Sequence, residues 1–179
     1  KHVFVEKPLC LKEEELEQIA EEYKRHSKHL MLGFNRRFAP LVTKLKKQLN
    51  PASLRSIHYR INAGILPTDH WVHDPNIGGG RIIGEVCHFI DLAYYIAGSK
   101  ARSIQAFTLG NQPSLKDTVS VNIEFENGSI ANISYFSNGN SHSSSWRAQK
   151  SLIKNVGANQ YQDGDHIKSK SVNCRIDKF

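Results

Sequence analysis

Apolar positions along the chain alternate between a period near two and one near 3.6, and the switches mark its elements. His2-Val3-Phe4-Val5 is a β-prone run, and Pro8 stops any ladder, so a strand ends at Glu6 or Lys7 with polar residues on its rim. Leu11 to Ser27 takes helical spacing, with Leu16, Ile19, Ala20 and Tyr23 on a narrow buried stripe. Its acidic first turn, Glu13, Glu14 and Glu15, suits the helix dipole. Leu30 to Phe34 reads as a second buried strand, which makes a strand-helix-strand unit long enough for a parallel crossover. Phe38 to Leu49 is a short helix with Leu41, Val42, Leu45 and Leu49 inward, ended by Asn50-Pro51.

From Leu54 the period is two, with Ile57, Tyr59 and Ile61 alternating against Ser56, His58, Arg60 and Asn62. Gly64 to Gly80 has no period and is expected as a long ordered loop, the kind of segment that often carries function. Arg81 to Ala97 is again helical, with Ile82, Val86, Phe89, Ala93 and Ile96 on a core face, Glu85, His88 and Tyr95 on another, and Gly98 as the stop. Strands are expected at Ser103 to Thr108, Thr118 to Phe125 and Ser129 to Phe136, with Asn127-Gly128 as a type I′ hairpin turn. After Phe136 neither period survives.

The 179 residues suffice for one well-cored domain, and 39% apolar with 23% charged residues is an ordinary soluble profile. Neither a membrane-span pattern nor a signal-peptide pattern is present, so a cytoplasmic protein is expected. Cys10, Cys87 and Cys174 are odd in number and far apart, which suggests neither disulfides nor a zinc ribbon. A zinc site from His70, His73, Asp74 and Cys87 lacks a supporting ligand spacing, so no metal is expected. The net charge of +7 invites a nucleic-acid reading. Residues 1–140, however, hold 17 Lys/Arg against 14 Asp/Glu, net +3, while 141–179 hold 7 against 3, net +4. More than half of the excess sits in the tail, no recognition motif accompanies it, and a nucleic-acid partner is not expected.

Three stretches then stand out in order: Glu6-Lys7-Pro8 after the first strand, Gly33-Phe34-Asn35-Arg36-Arg37-Phe38 after the second, and the run from Gly78-Gly79-Gly80-Arg81 through Glu85 and His88 to Asp91. Together they resemble the Gfo/Idh/MocA oxidoreductases over residues 1 to 140. The resemblance implies an amino-terminal Rossmann domain for NAD or NADP and a second, sheet-dominated domain that lines the substrate site and commonly forms the oligomer interface. The chain looks like the second domain preceded by the last edge of the first. Because it opens on Lys1 directly into a strand, it reads as a fragment. No Gly-x-Gly-x-x-Gly opens a helix, so the cofactor's phosphate grip is expected upstream.

By that resemblance Lys7 and His88 are the catalytic pair, with Glu6, Lys7 and Pro8 on the cofactor side. Oxidising a hydroxyl-bearing carbon needs a proton acceptor and a stabiliser of the developing oxyanion, work that a lysine and a histidine can share. Taken singly, Lys7 is an ordinary exposed lysine and His88 an ordinary helix histidine; the motifs shift both readings. Many family members carry an aspartate where this chain has Gly84. Glu85 and Asp91, three residues either side of His88, can reach the same helix edge, but Glu85 can equally pair with Arg81. Asn35, Arg36 and Arg37 follow a strand's carboxyl end, where an arginine can hold a hydroxyl, carboxylate or phosphate. Trp71 can stack on a sugar ring or simply pack in its loop.

The expected fold is α+β: a mixed, mainly antiparallel sheet with helices on one face, preceded by a remnant Rossmann strand-helix-strand. Residues 1–36 form that remnant, 37–140 the substrate and oligomerisation domain, and 141–179 a divergent, weakly ordered tail, either an extension or the product of a shifted reading frame. The expected activity is hydride transfer between NAD(P) and a hydroxyl-bearing carbon of a sugar, nucleotide-sugar or polyol, in a homo-oligomer joined through the sheet face. The rival is a non-catalytic oligomerisation module derived from such an enzyme.

Overall fold

The computed structural model describes residues 1–110 and 117–138, together with the backbone strand at 154–155. The chain begins with β1 (Val3–Val5), α1 (Glu13–Arg25) and β2 (Leu30–Leu32). The two strands pair in parallel, as the crossover reading requires. Glu15 accepts from the Leu11 and Lys12 amides and so satisfies donors that the start of α1 would otherwise leave bare.

The expected buried stripe of α1 is not found. The helix has no buried residue, and Leu16 and Tyr23 stand about half exposed. A two-stranded sheet offers too little surface to cover a helix face, whatever the helix's own periodicity. Val3, Phe4 and Met31 on those strands are exposed for the same reason.

A 3₁₀ turn over Asn35–Phe38 leads into α2 (Pro40–Gln48), which starts on proline, a residue preset for a first helical turn. Val42 and Leu49 are buried and Leu45 packs on the core, but Leu41 lies open, so only part of the expected inward face is used. β3 (Arg55–Asn62), β4 (Ala101–Thr108), β5 (Val119–Phe125) and β6 (Ile130–Phe136) form the main sheet, in the order β4-β5-β6-β3 with β7 (Lys154–Asn155) outermost. β4, β5 and β6 are antiparallel, whereas β3 runs parallel to β6. The sheet is therefore mixed and mainly antiparallel. β7 meets β3 at Arg55 and Ser56, and the remainder of the expected tail lies outside the described residues.

The β5–β6 hairpin forms where Asn127-Gly128 places it, with a different turn. The Gly128 amide donates to the Phe125 carbonyl, the Phe125 amide donates to Ser129, and Gly128 takes φ 84°. This is a three-residue loop closed by a left-handed glycine in place of a two-residue type I′ turn.

α3 (Cys87–Ala97) crosses one face of the sheet and is preceded by a π-helical turn over Ile82–Val86. Val86, Phe89, Leu92, Ala93 and Ile96 meet Ile57, Val121, Ile123, Phe125, Ile133 and Tyr135 in a single core. Cations hold the carboxyl end of α3, with Lys46 Nζ donating to the Tyr95 carbonyl at 2.6 Å and Arg55 Nη1 to the Ala97 carbonyl at 2.7 Å. The opposite sheet face is open and polar. Asn132 donates to Asn122 there at 2.7 Å, and a hollow of about 470 Å³ is lined by His58, Gln105, Asn122, Glu124 and Asn132. Among the described residues no helix is long and apolar enough to cross a membrane.

Candidate active site at Lys7 and His88

The glycine triplet sets the position of the helix behind it. A Cβ on Gly78 would fall 2.3 Å from the Val72 Cα, so the backbone of the 71–73 turn occupies the space a side chain would need. Gly79 and Gly80 take φ 65° and 84°, and a Cβ on Gly79 would meet Leu11 at 2.7 Å. The loop is thus pressed between its own earlier residues and the segment leading into α1. The triplet is a packing device, and Asp117 faces Gly80, which is hostile to a phosphate.

Arg81 follows and is 2% exposed. Its Nε and Nη2 donate to the two Glu85 oxygens, at 3.0 and 3.3 Å, and Nη1 donates to the Gly64 carbonyl at 2.6 Å. The Tyr135 hydroxyl donates to the same Glu85 carboxylate. Burial and that carboxylate push the Tyr135 phenol well above its ordinary range. Glu85, expected beside the substrate, is therefore placed between Arg81 and Tyr135. The alternation of β6 put Tyr135 in the core, but its hydroxyl needed a polar partner that only the packed structure names.

Lys7 and His88 converge. From the carboxyl end of β1, Lys7 Nζ donates to the Gly84 carbonyl at 2.7 Å, four residues before His88 in the same helical segment. The π turn departs from the i→i+4 ladder at this point, a distortion that recurs at functional sites. His88 is 7% exposed, its ring meets Phe34 edge-on at 5.9 Å, and its Nδ1 has no hydrogen-bond partner among the described residues. Burial first, then the charges of Arg36 and Lys7, hold its pKa down at about 4, against a smaller upward pull from Glu85. The imidazole is neutral at pH 7.

The paired arginines divide. Arg37 grips Asp91 with two donors, Nε at 2.7 Å and Nη2 closer still, and fixes the 35–38 turn to α3. Arg36 lies over the Phe89 ring at 4.3 Å, next in sequence to His88. Asn35 is exposed at the start of the turn. Trp71 is 61% exposed, with its ring 5.6 Å from that of His70. Glu6 is exposed and faces Gly33 across the β1–β2 edge, where a Cβ would meet its carboxylate at 2.8 Å. Pro8 follows a cis Lys7–Pro8 bond. His73 Nδ1 lies 3.4 Å from Asp117, whose carboxylate also accepts from the Arg81 amide. Among the described residues no cluster of three His, Cys, Asp or Glu could hold a metal ion.

A parallel strand pair with a lysine beyond the carboxyl end of its first strand thus leads into a mixed sheet backed by a helix. The GFO/IDH/MocA C-terminal domain model matches residues 52–152, more than half of the chain, and the chain belongs to that family. It is 31% identical over 143 residues to the uncharacterized oxidoreductase YrbE of Bacillus subtilis, covering 73% of this chain and 40% of that protein. It is 28% identical over 143 residues to the scyllo-inositol 2-dehydrogenase (NAD(+)) of the same organism, covering 74% and 41%. A crystal structure of a probable dehydrogenase from Thermotoga maritima superposes with a TM-score of 0.61 at 28% identity, over 78% of this chain and 44% of the other. The chain spans about two fifths of the length of these curated relatives.

Proposed function

We propose that this chain supplies the substrate side of an NAD(P)-dependent oxidoreductase that acts on a hydroxyl-bearing carbon of a sugar or cyclic polyol. The carrying observation is the meeting of Lys7 and the π turn one helical turn before His88. The name of the scyllo-inositol 2-dehydrogenase among the relatives favours a cyclic polyol. Bound NAD(P) would take up the hydride. The residues fit the nicotinamide end of that cofactor, with Glu6, Lys7 and Pro8 at the open carboxyl edge of β1, the place where α/β proteins gather ligands. They do not fit its phosphates, because the glycine triplet is filled by protein.

In this reading His88, neutral at pH 7, accepts the hydroxyl proton, and the Lys7 ammonium stabilises the oxygen as negative charge develops on it. The Gly84 carbonyl holds the Lys7 amine in place. Arg81, through Glu85, fixes the helix on which His88 rides. The open polar face of the sheet, with Phe107 and Ile130 exposed on β4 and β6, is where we assign self-association.

The test is NAD(P) reduction by the full-length protein across a panel of sugars and inositols. Lys7→Ala and His88→Ala should each lower kcat by about 10²- to 10⁴-fold. Activity indifferent to both changes removes the site assignment. A stable oligomer that reduces no cofactor with any polyol would favour a non-catalytic interaction module instead.

A further inference from the structure

We propose that the Arg37–Asp91 ion pair is a positioning device for His88: it pins the turn over residues 34–38 to α3, and so keeps Phe34 and Arg36 against the imidazole and its helix. The proposal rests on the oxidoreductase reading for what His88 does and adds what holds that ring ready.

The contacts close on themselves. Asp91 lies three residues beyond His88 on α3, so the two side chains share one edge of the helix. Arg37 grips that carboxylate with two donors, Nε at 2.7 Å and Nη2. The Arg37 amide donates to the Phe34 carbonyl at 3.4 Å, which ties the arginine to the start of its own turn. The Phe34 ring then returns to α3 and meets the His88 ring edge-on at 5.9 Å. Arg36 lies 4.3 Å over the Phe89 ring of the same helix. The turn is also joined to the lysine's strand, because the Gly33 amide donates to the Val5 carbonyl at 2.8 Å, two residues before Lys7. Lys7 meets the helical segment at Gly84 and Arg37 meets it at Asp91, so these ties bracket His88 by four residues on one side and three on the other.

A clamp in this place governs the ring's surroundings. Asp91 is 8% exposed, and a carboxylate so deeply placed holds its cation firmly because either partner left alone is costly. Burial is the first cause that keeps the His88 imidazole neutral and the Arg36 charge the second, with Lys7 from the end of β1 adding to them and Glu85 from the π turn opposing. Both leading causes draw on the turn, through the Phe34 ring and the Arg36 charge. Releasing the turn lets water reach the imidazole and moves Arg36 away, and each change raises the His88 pKa. The ring would then hold a proton closer to neutral pH and fail as a base.

The experiment follows His88 by NMR in the full-length protein, with isotope-labelled histidine and the resonance assigned by its loss in His88→Gln. The double variant Arg37→Gln, Asp91→Asn removes one positive and one negative charge together, so the local net charge is kept and a shift reports on the turn. Its His88 titration midpoint should rise from about 4 by about 1.5 pH units or more, toward the free-histidine value. Phe34→Ala, which leaves the ion pair intact, should raise the midpoint too. Arg37→Lys, with its charge kept and its fork lost, should fall between wild type and the double variant. Circular dichroism at pH 7 identifies the folded variants. Where turnover occurs, the ratio of kcat at pH 5 to kcat at pH 7 should drop by about threefold or more in the double variant. A folded double variant whose His88 titrates as in wild type overturns the proposal; if that variant does not fold, an unchanged midpoint in Phe34→Ala overturns it. Hydride transfer then still stands if turnover depends on Lys7 and His88. A raised midpoint in a protein that reduces no cofactor with any polyol would keep the clamp and sink hydride transfer.

Discussion

The two polar clusters on the helical segment 81–97 are built in opposite ways. Around Arg81, Nε and both terminal nitrogens of a 2%-exposed guanidinium have acceptors, and the carboxylate they meet is held from its other side by a tyrosine. Around His88, a ring nearly as buried keeps one nitrogen without a partner among the described residues and feels the charges of two cations. A complete buried network fixes a backbone, because removing any member strands the others. An incomplete one costs stability in the free protein and is worth keeping where a ligand finishes it. Arg81 is thus the anchor, and His88 is the group to which we assign chemistry.

Breaking the anchor should give the largest effect. Arg81→Leu leaves Glu85 and the Gly64 carbonyl without their cation, and urea unfolding should show a loss of about 3–5 kcal/mol. A loss below about 1 kcal/mol would mean that the cluster is not structural.

His88 should reveal itself through acid. The His88 pKa lies at about 4 in the folded chain against 6.5 unfolded, so the unfolded ring binds its proton first as pH falls. Above about pH 6.5 both forms are neutral and nothing is lost. Between 6.5 and 4 the fold loses stability, reaching roughly 3 kcal/mol below pH 4. His88→Gln should remove that component of the unfolding free energy measured at pH 7 and at pH 4.5. An unchanged acid sensitivity would show that another group carries it.

Two glycines sharpen the same contrast at smaller scale. Gly78→Ala drives a methyl against the Val72 backbone and should cost roughly 1–3 kcal/mol. Gly84→Ala meets only ordinary contacts at 3.6 Å, from Gly78 and Val72, and should leave thermal stability unchanged or raise it by no more than about 1 kcal/mol. Equal destabilisation at both positions would contradict the described packing of the loop.

Period and punctuation alone were enough to place β1–α1–β2 as a parallel crossover, β3 to β6 as strands and the helix after the glycine triplet, because alternation and helical spacing record which face of an element is covered. The motifs Glu6-Lys7-Pro8 and Gly78 to His88 likewise marked two segments that the fold joins, through the Lys7 hydrogen bond to the Gly84 carbonyl. Only tertiary structure decided how much of α1 is covered, since that depends on the width of the sheet beneath it. It also decided which arginine of Arg36 and Arg37 is used up on Asp91, and that Glu85 belongs to Arg81 and Tyr135. A sequence shows which charges are available along one helix edge. Their pairing is settled by partners that arrive from strands and turns up to 54 residues away, where burial makes every unmatched group costly.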